Sequence, residues 1–257
     1  MIRFTMLSAG SGGNAILIAT DTARILIDSG VSFKQLTARA AAVGESIEGL
    51  DAVFVTHEHR DHVLGLGTLA RKLGVPVYMT PGTRDCLPGS VGRLPRVEVF
   101  EAGEAVQVDG AVVRSFSVSH DAADPVSYVV EAGGAKLGLA ADLGHPSHLV
   151  RSRLAGCHGL ILESNHCPDM LRRGSYPPMV QQRIRGRQGH LSNDAMSALL
   201  AALVHDALQV VVLTHISEEN NTHELAYDTA AQVVAGRPVE VHVAWQDRPT
   251  RIFEIRA

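Results

Sequence analysis

The stretch Asp51-Ala-Val-Phe-Val-Thr56 runs straight into His57-Glu58-His59-Arg60-Asp61-His62. The first half is an apolar run of the kind that forms a buried strand. Functional sites of α/β sheets lie at the carboxyl ends of strands, and the second half begins at such an end. In an extended segment, residues two apart point the same way, so His57 and His59 can bind one metal ion from one side.

Asp61 and His62 follow where we expect the chain to turn into a helix at Val63, and there they can reach a second metal ion. Imidazole and carboxylate ligands suit zinc, and they also suit manganese or iron when further oxygen ligands are added. The alternative is a polar helix entry with incidental histidines, which fits poorly with three histidines and an aspartate in six residues.

Six residues cannot enclose two metal ions, so the other ligands must come from elsewhere in the chain. His120 follows the apolar run 112–118, Asp142 follows 137–141, and His215 follows 210–214. Each therefore occupies the same place, at the end of a strand, as His57.

Apolar runs alternate with amphipathic stretches along the whole chain, which indicates an α/β layered fold in one domain over residues 1–257. The predicted strands are Ile2–Leu7, Ala15–Ala19, Arg24–Asp28, Ala52–Thr56, Ala111–Val118, Val126–Glu131, Lys136–Ala141, Gly159–Glu163 and Val210–Thr214. The predicted helices are Ser32–Val43, Leu64–Leu73, Asn193–Val204 and Thr222–Ala235.

The composition excludes several protein classes. The 257 residues are 46% hydrophobic and 19% charged, which excludes a disordered chain. No run of apolar residues is long enough for a membrane span, and three cysteines without a C-x-x-C spacing suit a reducing compartment. We therefore expect a cytoplasmic protein with no membrane partner.

The ordered set His57-x-His59-x-Asp61-His62, His120, Asp142 and His215 resembles the ligand set of the metallo-β-lactamase superfamily. Longer strings are similar to the YycJ/WalJ subfamily of exonucleases. These strings are Ser8-Ala-Gly-Ser-Gly-Gly-Asn14, His120-Asp121, Asp124-Pro-Val126, Glu163-Ser-Asn-His166, Gly189-His-Leu-Ser-Asn193 and His215-Ile-Ser-Glu-Glu-Asn-Asn221.

The resemblance implies a four-layer αββα sandwich with the site at the edges of its sheets. It assigns one metal to His57, His59 and His120, and the other to Asp61, His62 and His215. Asp142 would bridge the two metals. It also implies hydrolysis, because electron-transferring relatives carry a carboxylate at the position of His59.

Such a site implies a phosphodiesterase with two divalent ions, zinc or manganese, with iron also possible. Paired ions clamp the attacking and leaving oxygens of a displacement, and they lower the pKa of bound water toward about 7, which supplies hydroxide as the nucleophile. In this resemblance Asp61 is also catalytic, because it orients that hydroxide.

His190 is the candidate proton donor. In phosphodiesterase relatives such as ribonuclease Z, a histidine in a similar segment precedes the last metal ligand in the sequence. That histidine protonates or stabilises the leaving oxygen. The alternative is a histidine beside a helix start with no role.

Two further residues close a strand beside this site. Glu163 and His166 either orient a ligand imidazole or belong to a hydrogen-bonded loop. Asp28 ends another strand, and we expect it to be structural.

Five arginines lie in the stretch that runs up to His190, where Asp169 is the only acidic residue between 166 and 190. They are Arg172, Arg173, Arg183, Arg185 and Arg187. Arginine binds phosphate with two parallel hydrogen bonds, so this stretch suits a nucleic-acid backbone. The alternative is a solvated face in a chain whose 23 basic residues include only three lysines.

The subfamily resemblance narrows the function to a 5′→3′ DNA exonuclease. An RNA-processing enzyme, a hydrolase of small phosphodiesters or esters, and a non-catalytic nucleic-acid-binding protein remain alternatives. Processing of tRNA 3′ ends is disfavoured, because only 21 residues separate His120 from Asp142, whereas ribonuclease Z carries a long arm there.

Overall fold

The apolar runs form strands of three to seven residues, and these strands assemble into two sheets of seven. The computed structural model describes all 257 residues. The strands are β1 Ile2–Ser8, β2 Ala15–Ala19, β3 Arg24–Ile27, β4 Ala52–Phe54, β5 Val77–Met79, β6 Val97–Val99, β7 Ala105–Val108, β8 Ala111–Ser117, β9 Val126–Ala132, β10 Ala135–Ala140, β11 Gly159–Glu163, β12 Val210–Thr214, β13 Glu240–Val243 and β14 Phe253–Ile255.

Each sheet is half antiparallel and half parallel. The first has the order β14-β1-β2-β3-β4-β5-β6, and the second has the order β13-β12-β11-β10-β9-β8-β7. Strands β3 to β6 are parallel to one another, and so are β10 to β13. Because β8 and β10 are both antiparallel to β9, the ends of β8, β10, β11 and β12 lie at one edge.

Helices cover the outer faces of both sheets. They are α1 Phe33–Ala42, α2 Arg60–Val63, α3 Leu66–Leu73, α4 Pro81–Asp85, α5 His148–Leu154, α6 Pro168–Arg173, α7 Pro178–Arg185, α8 Asn193–Leu203 and α9 His223–Val233. Side-chain oxygens of Ser32, Ser192 and Thr222 accept hydrogen bonds from first-turn N–H groups and so fix the starts of α1, α8 and α9. No helix combines the length and the apolar character that a membrane span requires.

Three hydrophobic clusters define the layers. A central cluster of 28 buried residues lies between the sheets and includes Phe54 and Tyr128. One outer cluster joins the first sheet to α1 and α3 through residues such as Leu36 and Leu69. The other joins the second sheet to α5, α8 and α9 through residues such as Leu199. The structure therefore confirms the predicted αββα order of layers.

The boundaries beside the histidine motif differ from the prediction. Strand β4 ends at Phe54 because the N–H of Thr56 donates to the carboxylate of Asp28 at 2.8 Å and not to a neighbouring strand. The predicted helix Leu64–Leu73 is α3 Leu66–Leu73, and a separate short helix, α2, precedes it from Arg60, where the N–H of His62 donates to the carbonyl of His59. Asp61 and His62 are therefore helical residues.

The prediction also missed β5, β6, β7, β13 and β14. These strands have only three or four residues, which is too short for alternation to stand out from the surrounding loops.

The two sheets are joined beside the motif by one buried side-chain hydrogen bond. The phenol of Tyr128 on β9 donates to the carbonyl of Val55, two residues before His57. Burial raises the pKa of Tyr128 well above its usual value, so the phenol keeps the proton that this bond needs.

We expect Tyr128→Phe to lower the free energy of unfolding by about 1–3 kcal/mol, because the Val55 carbonyl would lose its buried donor. Urea denaturation measures this change. Tyr227→Phe is the matched control, since the Tyr227 side chain is 44% exposed and its phenol makes no hydrogen bond. Equal stability of Tyr128→Phe and wild type would contradict the prediction.

Candidate metal centre and active site

The ends of six strands meet at one edge of the sandwich, and three of the residues there have a backbone conformation that is rare outside glycine. Asp28 follows β3 with a φ of 61°, Asp142 follows β10 with a φ of 51°, and His215 follows β12 with a φ of 58°. Such a conformation costs about 1–3 kcal/mol per residue and is concentrated at functional sites. The chain accepts this strain where the polar side chains gather.

The first group of possible ligands consists of His57, His59 and His120. One ring nitrogen from each lies within 4.8 Å of the others. The ring centroids of His57 and His59 are 4.5 Å apart, and those of His59 and His120 are 5.1 Å apart. Two residues of one loop and one residue after β8 thus surround a single point.

The second group consists of Asp61, His62 and His215, whose ligand atoms also lie within 4.8 Å of one another. The Asp61 Oδ2 atom is 3.4 Å from His62 Nε2 and 3.8 Å from His215 Nε2. Asp61 is the most accessible of the three, with 25% of its side chain exposed, whereas the two histidines are buried.

Asp142 lies between the two groups. Its Oδ2 atom is 3.1 Å from His62 Nε2, and its Oδ1 atom is 3.6 Å from His215 Nε2 and 3.9 Å from His120 Nε2. The structure therefore brings all seven predicted ligands together, in the two sets of three and the central carboxylate that the resemblance implies.

The residues fit a pair of divalent cations. The Nε2 atoms of His57 and His215 are buried and have no hydrogen-bond partner. A buried polar atom without a partner costs about 1–3 kcal/mol, and most such atoms in proteins are satisfied. Imidazole nitrogens beside two carboxylates are suitable donors for a divalent metal ion.

The far side of four of these imidazoles is held by a hydrogen bond. The Nδ1 atom of His57 lies 3.0 Å from Thr56 Oγ1, and the Nδ1 atom of His62 lies 2.8 Å from Asp28 Oδ2. The Nδ1 atom of His120 lies 3.2 Å from the Gly189 carbonyl, and the Nδ1 atom of His215 lies 3.1 Å from Glu163 Oε1. Each contact fixes the ring and turns Nε2 toward the centre.

The role of Asp28 differs from the structural one that we expected from sequence. Its carboxylate accepts a hydrogen bond from His62 and two from Thr56, so it orients a predicted ligand directly. The sequence signal was the position of Asp28 at the end of a strand, which is the same signal that identified the ligands.

The electrostatics divide the imidazoles into two kinds. Burial lowers the pKa of His57 and of His120, so both are neutral at neutral pH, which is the form that binds a metal. Burial would also lower the pKa of His62 and of His215. The carboxylates of Asp28 and Asp142 outweigh burial at His62, those of Asp142, Asp61 and Glu163 outweigh it at His215, and both pKa values are raised. A divalent cation would take the place of these protons.

Glu163 is completely buried and serves two histidines. Its Oε1 accepts from His190 Nδ1 at 2.7 Å and from His215 Nδ1 at 3.1 Å, while its Oε2 accepts from the N–H groups of Leu143 and Leu191. Burial alone would raise the pKa of Glu163. The charges on the two histidines and the hydrogen bonds that they donate outweigh burial and lower this pKa to about 2. Because both oxygens are engaged, Glu163 orients its neighbours and is poorly placed to bind a metal.

His190 lies beside the central carboxylate. Its Nδ1 is 3.6 Å from Asp142 Oδ1, its ring stacks on His215 with centroids 5.0 Å apart, and its side chain is 24% exposed. Burial would lower the pKa of His190, but the Glu163 carboxylate outweighs it and raises the pKa. Glu163 therefore favours the protonated form of His190, a partly accessible imidazole at the centre.

His166 stands apart from this network. Its Nδ1 is buried without a hydrogen-bond partner, and its backbone pairs with Ser192. Its ring hydrogen bonds to none of the seven predicted ligands, so the predicted orienting role for His166 has no support in the structure.

The five arginines are all exposed, and only part of the stretch lies beside the site. Arg172 and Arg173 end α6, where Arg172 pairs with Asp169 at 2.8 Å. Arg183 and Arg185 lie on α7, and Arg183 pairs at 2.6 Å with Asp121, the residue after His120. The carbonyl of Arg187 accepts a hydrogen bond from Ser119 at 2.7 Å.

The glycine-rich loop before β2 was a missed part of the site. The N–H of Asn14 donates to the Asp61 carbonyl at 2.7 Å, and its side-chain amide lies 3.0 Å from His62 Nε2. Gly30 lies against the same turn, where an added Cβ would fall 1.7 Å from the Asp61 carbonyl oxygen. The string Ser8–Asn14 was the available signal, but in the sequence it indicated only the family and not a contact with Asp61 or His62.

Known proteins share both the sequence and the architecture. Residues 23–216 match the family described as the β-lactamase superfamily domain. Exodeoxyribonuclease YycJ of Bacillus anthracis is 34% identical over 98% of this chain and 98% of its own length. Exodeoxyribonuclease WalJ of Streptococcus pneumoniae is 33% identical over 94% of this chain and 91% of its own.

Solved structures agree on the fold. The metallo-β-lactamase fold protein YhfI from Bacillus subtilis aligns with a TM-score of 0.72 at 15% identity and covers 99% of this chain and 100% of its own. A likeness at that identity shows the fold alone. Together with the sequence matches, it establishes that the chain belongs to the metallo-β-lactamase superfamily and, within it, to the family of YycJ and WalJ.

Proposed function

We propose that this chain is a dinuclear metal-dependent phosphodiesterase that acts as a DNA exonuclease with 5′→3′ polarity. The observation that carries the proposal is the pair of three-residue ligand groups that share Asp142. The 34% identical relative is named an exodeoxyribonuclease, which supports DNA as the substrate. Divalent ions bound there would supply Lewis-acid activation of the phosphodiester and of the attacking water.

The proposed ligands are His57, His59 and His120 for one ion and Asp61, His62 and His215 for the other, with Asp142 between them. Five imidazoles with two carboxylates suit zinc or manganese, and iron is a further candidate. We also assign to Asp61 the orientation of the attacking water, because its carboxylate is the more exposed of the two at the centre.

We assign the proton donor of the reaction to His190. The Glu163 carboxylate holds the ring by Nδ1 at 2.7 Å and favours the protonated imidazole. The opposite nitrogen is then free to give a proton to the leaving oxygen of the phosphodiester. General-acid catalysis of this kind contributes about 10²–10⁴-fold.

Arginines from the exposed stretch supply the proposed contacts to the nucleic-acid backbone. Arg183 pairs with Asp121, the residue after His120, and Arg187 lines one depression with Arg183 and Asp121. Arg172, Arg173 and Arg185 extend the positive charge along α6 and α7. We further propose a single domain, which the shared central core supports, and a cytoplasmic location, which three free cysteines suit.

The experiment that tests the proposal follows end-labelled DNA and RNA during digestion with added Mn²⁺, Zn²⁺ or Mg²⁺. We expect the label on the 5′ end of DNA to be released at once as a mononucleotide, while a 3′ label stays on progressively shorter strands. Asp142→Ala should lose both the bound metal, measured by elemental analysis, and the hydrolysis. His148→Ala is the control, because His148 is exposed and belongs to neither ligand group.

Other outcomes distinguish the alternatives. Digestion of RNA but not DNA would indicate an RNA-processing enzyme. Hydrolysis of a base-free phosphodiester without any digestion of nucleic acid would indicate a small-molecule hydrolase. Binding of DNA that survives Asp142→Ala, without turnover by the wild type, would indicate a non-catalytic binding protein.

We expect His190→Ala to reduce kcat on DNA by about 10²–10⁴-fold while the bound metal is retained. The same variant should hydrolyse bis(4-nitrophenyl) phosphate almost as fast as the wild type, since 4-nitrophenolate leaves as a stable anion and needs no proton. Stopped-time assays on both substrates measure the ratio. An equal loss on both would contradict the assignment of His190 as the proton donor.

We expect Arg183→Gln and Arg187→Gln each to raise KM for single-stranded DNA and to reduce the slope of log Kd against log salt by about 0.7. The reason is that a variant that lacks one guanidinium neutralises one phosphate fewer, so its binding releases one counterion fewer from the DNA. Binding titrations between low and moderate salt measure the slope. Arg96→Gln is the control, because Arg96 is an exposed arginine that pairs with Glu98; a similar change there would refute a specific contact.

A further inference from the structure

An exposed aromatic stack lies on the His215 side of the centre and has no role in the proposed chemistry. Trp245 is the only tryptophan of the chain, and its side chain is 41% exposed. The His223 ring stacks on it with centroids 3.7 Å apart and planes 12° apart. The Arg248 guanidinium carbon lies 4.1 Å from the indole centroid. Since both groups lie over the ring centre, they occupy opposite faces.

Arg248 contributes nothing else to the folded chain. It is exposed and makes no hydrogen bond or ion pair, so its five N–H donors are free. Arg251, three residues later, also lies over an aromatic ring, that of Phe253, but it is paired with Glu240. The difference marks Arg248 as a cation that is held over an aromatic face without a partner.

The stack borders a depression of about 360 Å³ that adjoins the centre. Ser217 lies in its wall, two residues after His215, and the N–H of Ser217 donates to the Asn165 carbonyl at 2.9 Å. The Asn165 amide in turn donates to the His215 carbonyl at 2.9 Å. Two residues of chain span at most about 7 Å, so the depression begins within one nucleotide of the ligands.

The charges in this depression select one part of a nucleotide. Glu218 and Asp247 line it, and two carboxylates repel a phosphate group. A nucleobase is uncharged, flat and able to stack, so it fits beside the indole, and the adjacent phosphate fits the free guanidinium.

We propose that His223, Trp245 and Arg248 form a nucleobase-binding subsite for a nucleotide that flanks the scissile phosphodiester. The base takes the indole face that Arg248 now covers, and the guanidinium turns to the phosphate next to that base. The subsite rests on the proposed function for its substrate class, and it adds a base-stacking element to the phosphate contacts proposed for the arginines of α6 and α7.

Because Trp245 is the sole tryptophan, the intrinsic fluorescence of the protein reports on this subsite directly. The probe is a phosphorothioate-linked oligothymidylate, which resists hydrolysis, added to the metal-loaded full chain. We expect saturable quenching of the tryptophan emission. An oligomer of equal length and linkage with abasic sites keeps the charge but cannot stack, so it should bind without quenching. Equal quenching by both oligomers would overturn the subsite.

Variants give a second measurement by the anisotropy of labelled oligomers. Trp245→Ala should raise Kd for oligothymidylate about 5- to 150-fold, the equivalent of one stacked base, and leave Kd for the abasic oligomer unchanged. Trp245→Phe should lose less affinity for oligothymidylate than Trp245→Ala, because an aromatic ring remains. Arg248→Ala should weaken the binding of both oligomers, whereas the control Arg251→Ala should weaken neither. Unchanged binding by Trp245→Ala and Arg248→Ala would overturn the proposal.

The two proposals fail in different ways. DNA digestion by a wild-type protein whose tryptophan emission is unaffected by oligothymidylate would overturn the subsite and support the proposed function. Base-dependent quenching without hydrolysis in any metal would support the subsite and overturn the exonuclease activity.

Discussion

The interaction on which this structure depends is the burial of Asp142 among imidazoles at the edge of two sheets. Burial alone would raise the pKa of the Asp142 carboxyl, yet the charges on His215 and His62 hold it well below its usual value. A buried carboxylate is stable only with such partners. The partners come from α2 and from the end of β12, so neither sheet can form this centre without the other.

That requirement explains the strain and the tethers around the centre. Asp28, Asp142 and His215 leave their strands through left-handed backbone conformations, which re-aim the chain at the point where the two sheets approach. The Nδ1 contacts then hold each ring in place, and two of them use carboxylates, Asp28 and Glu163, that are themselves buried. Hydrogen bonds to charged groups are stronger than neutral ones, which offsets part of the strain.

The sequence predicted which side chains gather at the centre better than it predicted their supports, and the reason is geometric. His57, His120, Asp142 and His215 each follow an apolar run, so local pattern and sheet topology together bring them to one edge. The partner of an Nδ1 atom depends on tertiary packing: Gly189 contributes only a carbonyl, and Thr56 and Asp28 are recognisable only once β3 and β4 are known to be parallel neighbours. For the same reason the sequence leaves His166 open between an orienting role and a loop role, and its ring hydrogen bonds to none of the seven predicted ligands.

The two sides of the centre differ in what they offer to a strand. On the His120 side, Arg183 and Arg187 line one depression with Asp121, and guanidinium groups bind phosphates whatever the base sequence. On the His215 side, acidic Glu218 and Asp247 line the depression together with Trp245, and Arg248 lies over the indole. Under the proposed function, the first side would bind backbone phosphates and the second a stacked base, so the two sides would contact different parts of a bound strand.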